Sequence, residues 1–271
     1  MEFRTKVDIA RPSFAIGPLE RLFFVGSCFA DNMAKRFQQE KFPCVVNPYG
    51  VMYNPASILH TVERYLEECG NDLPATAFLT LGTNHVYRLK DTGQIVDNCG
   101  KRPQKLFRQE ELSQEECYTF LHEAVHKLRK LNPQIKVIVT VSPVRYPKYS
   151  FHGSQLSKAV LLLAADKLVN ATHNSAYFPA YEIVQDELRD YRFYNSDMLH
   201  PSQQAVEYIW EQFSDAYLSA EAKDFIREWR PIKTALAHRP FNPTSVDYKT
   251  FMEKTRQKAA QLAQRYPTLK L

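Results

Sequence analysis

Short, strand-length apolar runs alternate with amphipathic stretches over the first 220 or so residues, and few folds accept that alternation. The runs are Leu22-Phe23-Phe24-Val25, Phe42 to Val46, Ala77 to Leu81, Ile135 to Val141, and Tyr177 to Val184, the last with Pro179 inside it. Runs that are apolar on both sides of the pleat predict strands covered on both faces. Between the first two, Phe29, Met33 and Phe37 recur every four residues beside Ala30 and Ala34, the buried stripe of a helix through about residue 39. Asn54 and Pro55 suit the cap and first position of another helix, with Ile58, Leu59, Val62, Tyr65 and Leu66 inward. Ser113 with Glu116 reads as a capping box, opening a helix that buries Phe120, Leu121, Ala124, Val125, Leu128 and Leu131. Ser154 to Val169 and Pro201 to Leu218 are further helices, the second with Val206, Ile209, Trp210 and Phe213 inward. A hairpin is predicted where Val86 to Leu89 and Gln94 to Val96 flank Asp91-Thr92-Gly93. Strands and helices in turn require right-handed crossovers and a mainly parallel sheet. The fold class is therefore α/β, a three-layer α/β/α flavodoxin-like sandwich of five strands.

After about residue 219 the strand signals stop. A basic, helical tail follows, interrupted by Pro231, Pro240 and Pro243. The expected organisation is a main domain over 1–218 and a helical extension over 219–271, packed on the core or forming a homo-oligomer contact. The net charge of +5 is interleaved rather than blocked, so no basic stripe points to nucleic acid. No apolar stretch approaches the ~20 residues of a membrane span, and Met1 to Lys6 lacks the apolar centre of a secretion signal. The five cysteines are odd in number and without metal spacing. They read as free thiols in a reducing compartment, hence a cytoplasmic protein. His122 and His126 are four apart on a helix, but no third ligand accompanies them, and no metal or cofactor is expected.

In open α/β sheets, ligands bind beyond the carboxyl ends of the strands. That rule gathers Ser27 after the first strand, Asn47 and Gly50 after the second, and Gly82 and Asn84 after the third. Ser142 and Arg145 follow the fourth, and Asp197 and His200 lie beyond the fifth. Acyl transfer is the chemistry this set suggests. Ser27 needs a base to become a nucleophile; His200 can take and return its proton near neutral pH. Asp197 can hold the other ring nitrogen, a role worth about 10⁴ in turnover in the well-studied serine triad. The oxyanion donors would be the Ser27 backbone N–H, the Gly50 N–H and an amide from Asn84 or Asn98. Tyr49, Tyr53, Arg145 and Tyr146 would line the substrate pocket. The bland readings are that Ser27 merely caps a helix and that Asn84 satisfies a turn. Cys28 is a rival nucleophile, but is expected to point into the core, as free cysteines usually do.

Gly26-Ser27-Cys28-Phe29-Ala30 is, letter for letter, the pentapeptide after which the GSCFA domain family is named. Asn47-Pro48-Tyr49-Gly50, Thr80-Leu81-Gly82-Thr83, Thr140 to Val144, Ser157-Lys158-Ala159 and Tyr177 to Glu182 also resemble that family, over about residues 20–215. The family resembles the SGNH (GDSL-like) hydrolases, which implies an SGNH-like α/β/α fold and roles for matched positions. Ser27 resembles the block I serine, although Gly-Ser-Cys stands where Gly-Asp-Ser is usual. Gly50 resembles the block II glycine, and Gly82-Thr83-Asn84 the Gly-x-Asn of block III, with His85 in place of an aspartate. Asp197-Met198-Leu199-His200 matches the Asp-x-x-His of block V. The resemblance implies a serine esterase or acyl hydrolase acting on a small-molecule or carbohydrate-like ester, with acetyl as the type of acyl group. The competing expectation is a ligand-binding or scaffold protein that keeps the pocket without turnover. A flavodoxin-like cofactor protein is disfavoured, because no glycine-rich phosphate loop follows the first strand.

Overall fold

The first apolar run becomes β1 (Leu22–Gly26), buried at every residue, in a computed structural model that describes residues 4–70 and 72–271. It feeds α1 (Cys28–Gln39), then β2 (Cys44–Val46), α2 (Pro55–Glu68) and β3 (Thr76–Leu81). A small excursion follows, β4 (His85–Leu89), β5 (Ile95–Val96) and β6 (Phe107–Glu111), before α3 (Gln114–Leu131), β7 (Lys136–Val141), α4 (Ser150–Ala171) and β8 (Ser175–Tyr177). The short turn α5 (Ala180–Glu182) runs on as a wider helical turn through Glu187. The chain ends in α6 (Gln203–Tyr217), α7 (Ala220–Ala237) and α8 (Val246–Arg265).

The main sheet has five parallel strands in the order β2-β1-β3-β7-β8. Helices cover both faces. This is the three-layer, flavodoxin-like order, whose chain reversal sits between β1 and β3. Side chains alternate across the pleat. Phe24, Phe78 and Ile138 face α1, α6, α7 and α8, while Phe23, Val25, Leu79, Val137 and Val139 face α2, α3 and α4. On the first side Phe24 stacks on Phe78 at 4.2 Å, and Phe37 of α1 meets Phe78 edge-on at 5.6 Å. A ring buried like that of Phe37 contributes about 1.5–3 kcal/mol by burial alone.

The caps expected at Asn54 and Ser113 form: Asn54 Oδ1 accepts the Ser57 N–H at 3.0 Å, and Ser113 and Glu116 complete a capping box. Several expectations need correction. The fifth strand stops at Tyr177, because Pro179 has no N–H for the ladder and the chain turns helical, burying Ile183 and Val184 from α5 and its continuation. Leu131 is 47% exposed at the helix end, and Cys117 is buried on that stripe instead. α6 starts at Gln203, capped by Ser202, because Pro201 pairs with Tyr194 in a β-bridge. The hairpin gains a third antiparallel strand, β6, whose charged residues hid it from the pattern. Pro231 does not break α7, although a proline inside a helix costs about 3 kcal/mol. Trp229 and Ile232 on either side are buried, and Trp229 Nε1 donates to the Gln39 carbonyl at 3.1 Å. The tail therefore packs on the chain's own core, with Phe225 against Phe42 and Lys233 paired to Glu40. Among the described residues, no helix is long and apolar enough to cross a membrane.

Candidate active site

The turn from β1 into α1 is built on close backbone approach. Gly26 has φ +139, and a Cβ there would lie 2.1 Å from the Thr80 carbonyl oxygen of β3; only glycine fits. Asn47 clamps the turn: its Oδ1 accepts the Gly26 N–H at 2.9 Å and its Nδ2 donates to Asp31 of α1 at 2.8 Å. Ser27 is the N-cap. Its Oγ accepts the Phe29 N–H at 3.3 Å, its own N–H donates to the Thr80 carbonyl at 3.0 Å, and the residue is 1% exposed. Cys28, the first residue of α1, is only partly buried and lines a cavity of about 410 Å³ between α1 and α6. Burial, and then the Asp31 carboxylate, push the Cys28 thiol up from its ordinary value; the backbone N–H groups of Cys28 and Phe29 and the Lys158 ammonium oppose them.

The same cavity is lined by His200, together with Asn32, Asn195 and Pro201. His200 Nδ1 lies 2.6 Å from Asp197 Oδ2, while Asp197 Oδ1 accepts the backbone N–H of Leu199 at 2.8 Å and of His200 at 3.0 Å. These three interactions hold the Asp197 carboxyl down at about 2, the backbone N–H groups contributing most. A carboxylate on Nδ1 makes that nitrogen the donor and leaves Nε2 with its lone pair. The turn is locked further by Met198 N–H on the Asn195 carbonyl and Arg145 N–H on the Leu199 carbonyl.

The remaining predicted residues do not converge here. The Gly50 N–H donates to the Asn47 carbonyl at 2.8 Å, and Gly50 lines a separate cavity with Tyr49, His60, Asp97 and Asn98. Asn84 is buried and its Nδ2 donates to the Leu112 carbonyl at 2.7 Å. Asn98 is exposed and accepts the Gly100 N–H. Ser27 N–H, Gly50 N–H and one N–H of the Asn84 amide are thus committed to the fold itself, and Asn98 faces another cavity, so these donors are not gathered at the Cys28–His200 cavity. Of the expected substrate residues, Tyr49 bonds Glu68 and sits under Arg64, whereas Tyr53 meets Tyr146 edge-on at 5.5 Å. Arg145 lines a third cavity, about 460 Å³, with Phe151, Tyr181, Tyr191 and Tyr194. Cys28 is the residue sequence reasoning set aside. Its signal was positional: counted from Gly26, it stands third, where the serine of Gly-Asp-Ser stands, and a first helical residue is free of the capping that occupies its neighbour.

Residues 21–73 and 71–213 match the model of the GSCFA family, and residues 229–271 match that of the GSCFA domain protein C-terminal domain. No curated protein matches the sequence. Among solved structures, a family 3 carbohydrate esterase of Clostridium thermocellum is similar at 14% identity and a TM-score of 0.43, covering 81% of this chain and 99% of that one. A carbohydrate esterase family 3 protein of Talaromyces cellulolyticus is similar at 12% identity and a TM-score of 0.44, over 77% and 99% of the two chains. An acetylxylan esterase of Geobacillus stearothermophilus, as a catalytic mutant, is similar at 12% identity and a TM-score of 0.46, over 75% and 96%.

Proposed function

Because the chain belongs to the GSCFA family and carries a thiol, an imidazole and a carboxylate around one cleft, we propose that it is an acyl hydrolase or acyl transferase working through Cys28. One observation carries the reading: Cys28 and His200 line the same cavity, and the other nitrogen of that ring is held by Asp197 at 2.6 Å. In this reading Ser27, the nucleophile expected from sequence, gives way to its neighbour because its hydroxyl is buried and committed to the Phe29 N–H.

His200 Nε2 takes the Cys28 proton, and the thiolate adds to an ester carbonyl to give a tetrahedral oxyanion. The start of α1 favours that charge, since the N–H groups of a first turn have no carbonyl partner within the helix. The amides of Asn32 and Asn195 stand in the same cavity wall. Collapse expels the alcohol, which takes the proton back from His200, and leaves a thioester. Water or a second alcohol, deprotonated by the same ring, then accepts the acyl group and restores the thiol. The acyl group is short in this proposal, and the alcohol is carbohydrate-like. The Arg145 cavity adjoins the His200 turn and offers aromatic faces beside Gln155, Asp186 and Asp190, a mixture suited to a sugar ring.

The test is turnover of p-nitrophenyl acetate with parallel labelling by iodoacetamide and a fluorophosphonate. Cys28→Ala should abolish turnover, His200→Ala should cut it by about 10² to 10⁴, and Ser27→Ala should retain it. Fluorophosphonate labelling of Ser27 with an active Cys28→Ala protein would return the nucleophile to the serine. A second reading, ligand binding without turnover, is favoured by the commitment of the expected oxyanion donors to the fold. It predicts thermal stabilisation by an acetylated sugar with no product formed.

A further inference from the structure

Lys158 of α4 is 2% exposed, the depth at which a lysine is almost never found without a partner. Its Nζ donates to two backbone carbonyls, Gly82 and Ser142, at 2.7 Å each. Those residues follow β3 and β7. In the sheet Gly26 stands opposite Thr80, and Thr80 opposite Thr140, so the ends of β1, β3 and β7 lie side by side. Lys158 therefore bridges two strand ends, roughly one strand spacing, about 4.8 Å, from the turn that carries Cys28.

No carboxylate is among the hydrogen-bond or ion-pair partners of Lys158 among the described residues. A buried ammonium without a counter-charge is costly, and such a lysine either loses its proton or finds an anion. A neutral amine has two N–H bonds, enough for both carbonyls, and a lone pair left over. The titratable groups around the pair are Cys28 and Asp31 on α1, Tyr146 after β7, Tyr181 on α5 with its ring 5.9 Å from Nζ, and His200 across the cavity. Burial brings Lys158 down to about 7, and the charge that works against this is that of Cys28.

We propose that Lys158, fixed by the Gly82 and Ser142 carbonyls at the strand ends, is the positioning residue that sets how much of Cys28 exists as thiolate. The proposal rests on Cys28 being the nucleophile. Lys158 acts through its charge: the S–H proton goes to His200 as in the proposed chemistry, while an ammonium held at the Gly82 and Ser142 carbonyls favours the thiolate it leaves. A lysine that only tied α4 to the strand ends would leave the thiol's titration where it was.

The experiment is the rate of iodoacetamide alkylation at Cys28, read by mass spectrometry from pH 5 to 10, in the wild type, Lys158→Met and Lys158→Arg. The expected result is a midpoint at least about one pH unit higher in Lys158→Met, about tenfold slower alkylation at pH 7, with Lys158→Arg restoring the wild-type midpoint. Equal midpoints in wild type and Lys158→Met would overturn the proposal. Should either variant fail to fold, the Lys158 ¹³Cε resonance is titrated in the wild type before and after Cys28 is carbamidomethylated. A lower midpoint after alkylation supports the pairing, and an unmoved one ends it. Ester turnover that survives Cys28→Ala defeats the nucleophile reading alone, while an unmoved alkylation profile beside an inactive Cys28→Ala defeats the Lys158 inference alone.

Discussion

Among the described residues two histidine–carboxylate pairs have almost the same geometry: His200 Nδ1 with Asp197 at 2.6 Å, and His60 Nδ1 with Asp97 at 2.8 Å. Their settings differ. Asp197 belongs to the same turn as its histidine and also accepts two backbone N–H bonds. Asp97 reaches His60 from 37 residues away, in a loop. His200 shares its cavity with a cysteine at a helix start. The His60 cavity offers the hydroxyls of Tyr49 and Thr61, the first bonded to Glu68 and the second buried. An imidazole on a carboxylate thus occurs twice, and in the proposed reading what sets the His200 pair apart is the cysteine that follows the neighbouring strand.

The largest effect should divide the two pairs outright. His200→Ala is expected to lower p-nitrophenyl acetate turnover by about 10² to 10⁴, the usual worth of a general acid–base, while His60→Ala leaves it near the parent. Equal losses in both would end the comparison. Asp197→Asn comes next. The carboxylate acts only through His200, so its loss should not exceed that of His200→Ala and is expected to be on the order of 10²-fold. With its carboxyl held at about 2, Asp197 stays ionised through pH 3 to 5, and the rate profile should show no carboxylate inflection in that interval.

The sheet was legible because strands buried on both faces write themselves as apolar runs, as Leu22–Val25 and Ile135–Val141 do. The family was legible from Gly26 to Ala30, a turn whose residues are fixed by the contact of Gly26 with Thr80. Asp197 and His200 were legible as a couple because three residues of one turn bring them together. Choosing between Ser27 and Cys28 was not. Both follow the same strand, and only the rotation of the chain into α1 decides which side chain folds back as a cap and which meets the cavity. The oxyanion donors were misread for a related reason. Gly50 and Asn84 have the right types at the right strand ends, but whether an N–H is free depends on long-range acceptors such as Leu112. Lys158 stood only within the family-like Ser157-Lys158-Ala159, with no sign of its burial, since a lysine beside the apolar stripe of α4 looks like a solvated edge.

A smaller effect tests the division of labour at the β1–α1 turn. Ser27→Ala removes the cap from α1 and is expected to cost about 1 kcal/mol in urea denaturation, with turnover per folded molecule retained. The pair around His60 would supply no rescue, so loss of both stability and all turnover in Ser27→Ala would mean that the hydroxyl does chemistry after all.

The smallest effect separates the two pairs by pH. The hydrogen bond that His60 donates to Asp97 raises His60 above its ordinary value, with burial opposing it. A histidine raised in the folded state adds stability that is complete below the unfolded value of about 6.5 and is lost as pH rises through the folded one. Asp197 runs the other way: lowered in the folded state, it adds stability above the unfolded value of about 3.9 that is lost as pH falls toward 2. Because the His60 side chain is 37% exposed, solvent screening limits its share to no more than about 0.5 kcal/mol. Urea denaturation of Asp97→Asn should therefore show its deficit at pH 5.5 and little at pH 9, whereas any deficit of Asp197→Asn should persist at pH 9 and shrink only below pH 4. A deficit in Asp97→Asn that grew with pH would mean that His60 is held neutral rather than charged, and that the two pairs differ in electrostatics as well as in surroundings.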